Sequence, residues 1–358
     1  MLRTRHEWIS KLAAESGVVA GMRLETDIGN ADLDTDALNF ANCDARCRLI
    51  TRTIDKLVTH NFSSKSARDL LGNLINRNTF GAFAELAAYD WLTRCYVKIA
   101  TQVTMDSSDV LATNGSTLDG KIEHGSVYFD VKAFGSNERL AQRLKERLEV
   151  EILDEQVLIE GSWDLSYETY EELIRSAPGL ATDLRQNRMV QKDRLRSRLE
   201  PKKPVTVSMR EGDPYCLAKE NALYPFKYAK QFTRNNPFIL ILVVDPLFNG
   251  GWIHSDFAGM DTAFTRSLAR RAFMQFSSDS TLLDPIGRSV PSDVTLGEAS
   301  RLLSAIFFVN VWPLQANPTS WLYLNPRATH RLMPGSLNLF RANNPNDTYI
   351  DDFAHDDY

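Results

Sequence analysis

The sequence is poor in cysteine. Four thiols in 358 residues make no disulfide framework, and a chain of this length buries an adequate core without one. It also lacks a long hydrophobic run. The longest, Phe238–Val244, falls well short of the ~20 apolar residues that span a bilayer. The opening stretch MLRTRHEWISKLAAESG is charged throughout and has no apolar segment of the kind a secretory signal needs. A reducing cytoplasm is therefore the expected compartment. An excess of one charge is missing as well. The formal net charge of −5 attracts neither nucleic acid nor an anionic membrane, so any such partner must be held by a local patch. Internal repeats, a Walker phosphate loop, a dinucleotide-binding glycine turn and a Gly-x-Ser-x-Gly elbow are all absent, which argues against ATP-driven work by this chain alone. Cys43 and Cys47 have no second pair at a zinc-site spacing and are expected to be reduced thiols.

The composition, 43% hydrophobic and 24% charged, is that of an ordinary folded domain. At ~150 residues per domain the length predicts roughly two domains, or one with insertions. Residues 1–75 read as an N-terminal helical extension, with Leu49, Ile50, Ile54 and Leu57 at helical intervals. The spacing of Phe80, Phe83, Ala84, Ala87, Trp91 and Leu92 predicts a helix over 78–95 with one apolar stripe. Shorter runs, Tyr96–Thr101, Leu118–Ile122 and Val127–Phe134, then predict strands, followed by a charged helix over 137–151. The stretch 152–225 is irregular and reads as an insertion, with one strand candidate at Val205–Met209. Lys227–Arg234 reads as a helix leading into Pro237–Asp245, a fully buried central strand. Helices over 261–275 and 296–304 and strands Ala305–Val311 and Trp321–Leu324 follow. The aspartate-rich tail, 346–358, is expected to be disordered.

The chemistry concentrates in residues 118–134. His124-Gly125 is a plausible hairpin tip. The register it sets pairs Ile122 with Val127, Lys121 with Tyr128, Gly120 with Phe129 and Asp119 with Asp130. Facing side chains in an antiparallel pair stand ~5 Å apart, and like charges there are destabilising. A divalent cation reverses that sign, because two carboxylates can share one Mg²⁺ and leave its other positions to water and phosphate. Asp130 and Lys132 are two apart and project from one face. Val127, Phe129, Val131 and Ala133 occupy the other. Glu85 falls at the rim of the apolar stripe of the 78–95 helix, where a carboxylate can look into a site between helix and sheet. Gln231, in the helix before the buried strand, is a weaker candidate: its amide could meet the active-site face, but an exposed helix glutamine is the preferred reading.

A helix bearing Glu85, then strands bearing Asp119 and Asp130-Val-Lys132, then a helix and a buried strand, resembles the PD-(D/E)xK, or restriction-endonuclease-like, nuclease superfamily. The resemblance implies an α/β fold with a mixed central sheet and an α-β-β-β-α-β core, here 78–95, 96–103, 117–122, 127–134, 137–151 and 238–245. The nuclease domain would span 76–345, with the insertion at about 152–225. Leu118 stands where the superfamily has its proline, and the gap before the last core strand is long. The implied activity is Mg²⁺- or Mn²⁺-dependent hydrolysis of phosphodiester bonds. Asp119, Asp130 and Glu85 would hold metal, and Lys132 would orient water or meet developing charge. DNA is the expected substrate, in a setting such as restriction or anti-phage defence, and superfamily members are often homodimers. The alternatives are a ribonuclease of the same fold, or an inactive protein that binds nucleic acid or serves assembly. Arg185, Arg188, Lys192, Arg194, Arg196, Arg198, Lys202 and Lys203 against Asp193 and Glu200 give a local charge of +6. This segment is either a phosphate-contacting arm or a solvated helix face.

Overall fold

The structure is a computed structural model. It describes the chain except at positions 23, 25–31, 34, 60–62, 77, 95–97, 135–136, 162–171, 193–194, 203–213, 246–259, 284–289, 312–318, 343–347 and 354–358. Two compact units form. One comprises Met1–Ala133, Ala222–Val244 and Thr265–Tyr358; the other comprises Phe134–Asn221 and Asp245–Phe264. The described strands are β1 (Ile99–Met105), β2 (Ser116–Ile122), β3 (Val127–Ala133), β4 (Glu155–Gly161), β5 (Met189–Lys192), β6 (Leu195–Pro201), β7 (Phe238–Val244), β8 (Ala305–Asn310), β9 (Ser320–Leu324) and β10 (Thr348–Asp351).

The larger unit is α/β, with a mixed seven-stranded sheet in the order β1-β2-β3-β7-β8-β9-β10. The pairs β1/β2, β2/β3 and β8/β9 are antiparallel, and β3/β7, β7/β8 and β9/β10 are parallel. β7 lies at the centre with all seven residues buried, as its unbroken apolar run predicts. Parallel neighbours need a crossover connection. Between β3 and β7 the chain makes that crossover through the residues of the second unit.

The helix Thr79–Arg94 is more deeply embedded than a single stripe implies. From Ala82 to Leu92 every residue except Glu85 is buried. A helix apolar on nearly all sides needs cover on more than one of them. Trp91 meets Phe307 of β8 edge-on, with ring centroids 4.6 Å apart. Phe83 meets Phe40 of the helix Thr35–Ala41, at 4.7 Å. Arg52, from the helix Asp44–Thr59, grips the buried Asp90 with two hydrogen bonds of 3.0 and 2.7 Å. The helices within residues 1–75, expected as an extension, thus belong to the same unit as the sheet, and those at Asp44–Thr59 and Ser64–Asn76 pack on the helix Thr79–Arg94.

The tail also departs from expectation. Thr348–Asp351 forms β10 against β9, and Arg266 pairs with Asp351 at 2.5 Å. The surrounding aspartates mask a Thr-Tyr-Ile run of good strand formers. Residues 354–358 lie outside the described residues.

The smaller unit contains a three-stranded antiparallel sheet, β4-β6-β5. Its core holds Leu144 and Leu148 from the helix Asn137–Glu151, Leu180 and Leu184 from the helix Ala177–Asn187, and Leu195 and Leu199 from β6. The described part of the stretch 152–225, expected to be irregular, thus holds regular helices and strands. The candidate strand 205–209 lies outside the described residues. The helix Asn137–Glu151, expected in the nuclease core, falls within this unit. Among the described residues no helix is long and apolar enough to cross a membrane. Cys43 and Cys47 are free thiols, and Cys95 lies outside the described residues.

Candidate active site

The β2–β3 hairpin has the expected register, with Ile122↔Val127, Lys121↔Tyr128 and Gly120↔Phe129 paired around a turn in which Gly125 takes φ +85°. Asp119 and Asp130 come next, and there the ladder stops. Asp119 instead accepts the Val131 N–H through its carboxylate, at 2.7 Å. On the other flank, β1 pairs Thr101 with Gly120 and Val103 with Leu118, while Gln102 and Asp119 between them do not pair. Both ladders open at Asp119, so a carboxylate occupies a place where backbone would meet backbone.

Asp130 is fully buried on β3. Its Oδ2 forms an ion pair with Lys132 Nζ, and its Oδ1 accepts from Gln231 Nε2 at 2.9 Å. Gln231 ends the 3-10 helix Tyr224–Gln231. In such a helix residues three apart eclipse, which puts Tyr228 beside it. The Lys132 ammonium lies over the Tyr228 ring, 5.2 Å from its centroid. Gln231 is therefore half-buried against β3, which favours the weaker of the two expectations over an exposed helix glutamine. Its amide nitrogen faces Asp130, and its Oε1 is buried with no hydrogen-bond partner among the described residues.

Glu85 accepts from Gln102 Nε2 at 3.4 Å. Burial raises its pKa to about 7; Asp130 acts in the same direction, and Lys132 opposes both. Burial, then the nearby Asp130 and Glu85, push Asp119 well above the usual carboxylate range. For Lys132, burial disfavours the ammonium, but Asp130 and Asp119 outweigh it and hold the pKa above the ordinary lysine value. The structure thus brings Glu85, Asp119, Asp130 and Lys132 into one electrostatic cluster, three acids against one cation.

Sequence reasoning missed Tyr89 and Gln102. Tyr89, fully buried one helical turn from Glu85, donates to the Asp119 carbonyl at 2.8 Å and packs edge-on against Phe129. Its i+4 relation to Glu85 was the available signal. Gln102 carried none. Gly120 also matters. A Cβ there would lie 2.3 Å from Phe129 Cζ and 2.8 Å from the Ala100 carbonyl. Gly120→Ala is expected to destabilise the fold by about 2 kcal/mol, read as a lower urea midpoint at unchanged m-value. An unchanged midpoint would remove close packing as the reason for glycine beside Asp119.

Arg185 lies on the helix Ala177–Asn187 and Arg188 caps it, whereas Lys192, Arg196 and Arg198 stand on β5 and β6. Arg188 pairs with Glu155 at 2.5 Å and Arg198 with Glu200 at 2.8 Å. Arg185 donates to the Glu151 carbonyl, and Lys202 to that of Leu153 at 2.5 Å. Lys192 and Arg196 are exposed on β5 and β6. Arg194 and Lys203 lie outside the described residues.

Among the described residues no group of three or more His, Cys, Asp or Glu stands at metal-ligand spacing. Mg²⁺ asks for less, being commonly held by one or two carboxylates with water and phosphate completing its shell. A carboxylate has about four lone-pair sites; at Asp119 the Val131 N–H takes one. The excess of buried acid and the orphaned Gln231 oxygen fit a cation there. Comparison with protein-family models, with curated proteins and with solved structures gives no match to this chain.

Proposed function

We propose that the chain is a Mg²⁺-dependent nuclease that hydrolyses phosphodiester bonds of DNA, on a restriction-endonuclease-like core formed by the helix Thr79–Arg94 and strands β1, β2, β3 and β7. One observation carries the proposal: Asp119 and Asp130 stand at the point where β2 and β3 part, with Lys132 ion-paired to Asp130 and Glu85 within their field. Nothing structural recommends that arrangement, because buried like charges are costly.

Asp119 and Asp130 would hold the metal, which when bound polarises the phosphate and acidifies water. The remaining roles fall to the chain. The Lys132 ammonium, charged at any working pH, meets negative charge that builds on the phosphate. Glu85, with a pKa near neutrality, is suited to take a proton from the attacking water. As the new P–O bond forms, the bond to one ester oxygen breaks, and the departing oxygen takes its proton from solvent. Gln231 and the Tyr228 ring keep Asp130 and Lys132 in register. Lys192 and Arg196, exposed on β5 and β6, would serve phosphate contact, and such contacts make binding weaken steeply with salt.

The test is incubation of the protein with plasmid, single-stranded DNA and transfer RNA, in Mg²⁺ and in EDTA. Cleavage of DNA in Mg²⁺ and none in EDTA is expected. Metal-dependent products from RNA alone would change the substrate. Retained binding with no products from any substrate would overturn the enzyme.

A further inference from the structure

Gln102 breaks the regularity of a strand. It lies inside β1, between Thr101 and Val103, both of which pair with β2, yet its φ is +51°. That left-handed conformation suits glycine or asparagine far better than a long side chain. Such strain persists where the surroundings impose it, and it gathers at functional sites. Here it falls directly opposite Asp119. The carboxamide of Gln102 donates to Glu85 Oε2 at 3.4 Å. On the same helix as Glu85, the Tyr89 hydroxyl donates to the Asp119 carbonyl at 2.8 Å.

We propose that Gln102 is a positioning residue for the carboxylate cluster: the left-handed turn in β1 aims its carboxamide at Glu85 and leaves Asp119 unpaired with β1, and so fixes where Glu85 and Asp119 stand. This rests on the nuclease reading of the site. The unpaired Gln102–Asp119 step then has a cause. A regular β1 would pair its backbone with Asp119 and aim residue 102 elsewhere.

Two variants test the proposal. Gln102→Gly relieves the backbone and removes the amide. Gln102→Asn tolerates the turn but is one methylene too short to reach Glu85. Both are expected to melt within a few degrees of the parent and to lose about 10- to 100-fold in kcat, with KM for plasmid little changed. A role in folding alone predicts the opposite, altered melting with kcat intact, and wild-type kcat in Gln102→Gly would overturn the proposal. A second measurement does not depend on cleavage. With glutamine side chains labelled with ¹⁵N, the Gln102 amide signal, identified by its loss in Gln102→Gly, is expected to shift in Glu85→Gln. If that signal stays put, the positioning contact is wrong whatever the activity. If it shifts while the parent protein cuts no substrate, the contact stands and the nuclease reading fails.

Discussion

Asp130→Asn is expected to abolish Mg²⁺-dependent cleavage, by on the order of 10³-fold or more, while the protein stays folded. Asparagine matches aspartate in shape and keeps an oxygen to accept the Gln231 amide, which now meets Asp130 at 2.9 Å. The change removes the charge alone. The loss corresponds to ~4 kcal/mol of transition-state stabilisation. The parent carboxylate is fully buried, so its charge has no solvent substitute. Lys132 keeps Asp119 as a second source of attraction, which limits the cost of leaving an ammonium without its first partner. Binding of DNA should be retained or become tighter, because one negative charge facing phosphate is gone. Plasmid nicking, filter binding and thermal melting on the same preparation check the three parts. Wild-type nicking by Asp130→Asn would sink the proposed site, whereas lost nicking with lost binding would point to a damaged fold.

The metal-free protein is expected to lose stability as pH rises from about 5 to 8. Glu85 has a folded pKa of about 7 against an ordinary 4.5, so within that window the folded state holds a proton that the unfolded state has released. Stability falls with pH wherever the folded state binds more protons. The penalty is absent below about 4.5, grows through the window and is complete above 7, where it amounts to roughly 3 kcal/mol. Asp119, also shifted upward, adds in the same direction. Lys132 is shifted upward too, but its contribution is fully present throughout this range and is lost only at alkaline pH. The acids with lowered pKa, Glu7, Asp44, Glu155 and Asp279, act in the opposite sense and only below their ordinary values. The measurement is the melting temperature of the parent and of Glu85→Gln at pH 5.5 and 8. The parent should drop by several degrees more than the variant. Mg²⁺ should stabilise the parent more at pH 8 than at pH 5.5, because cation binding favours the ionised acids. Equal slopes for parent and variant would show that Glu85 does not carry the raised pKa.

Some of the molecule was legible in the residues because the physics is local. The seven apolar residues of β7 have nowhere to go but the middle of a sheet, and they are there. Gly125 supplies the positive φ of the hairpin turn, and period-two alternation then sets the register that places Asp119 and Asp130 one step beyond Gly120↔Phe129. Asp130 and Lys132, two apart on one strand, had to share a face.

What escaped the sequence depends on contacts between distant segments. Charge left residues 185–203 divided between a phosphate-contacting arm and a solvated helix face, although Leu195 and Leu199 alternate with Arg196 and Arg198 as a strand requires. Aspartates made residues 348–351 look disordered, because nothing in their own composition reveals that β9 offers them an open edge. Gln231 lies 101 residues from Asp130, a separation at which spacing carries no information.

The sequence by itself determined the buried central strand, the hairpin and the acid–acid–lysine face, since each follows from neighbours within a few residues and from the cost of exposing apolar surface. Only the tertiary structure decided that Tyr89, Gln102 and Gln231 join Glu85 at that face, and that the helices of residues 1–75 cover the helix Thr79–Arg94. Convergence of that kind is fixed by how separate elements pack, and packing depends on shapes that meet only after the chain has folded.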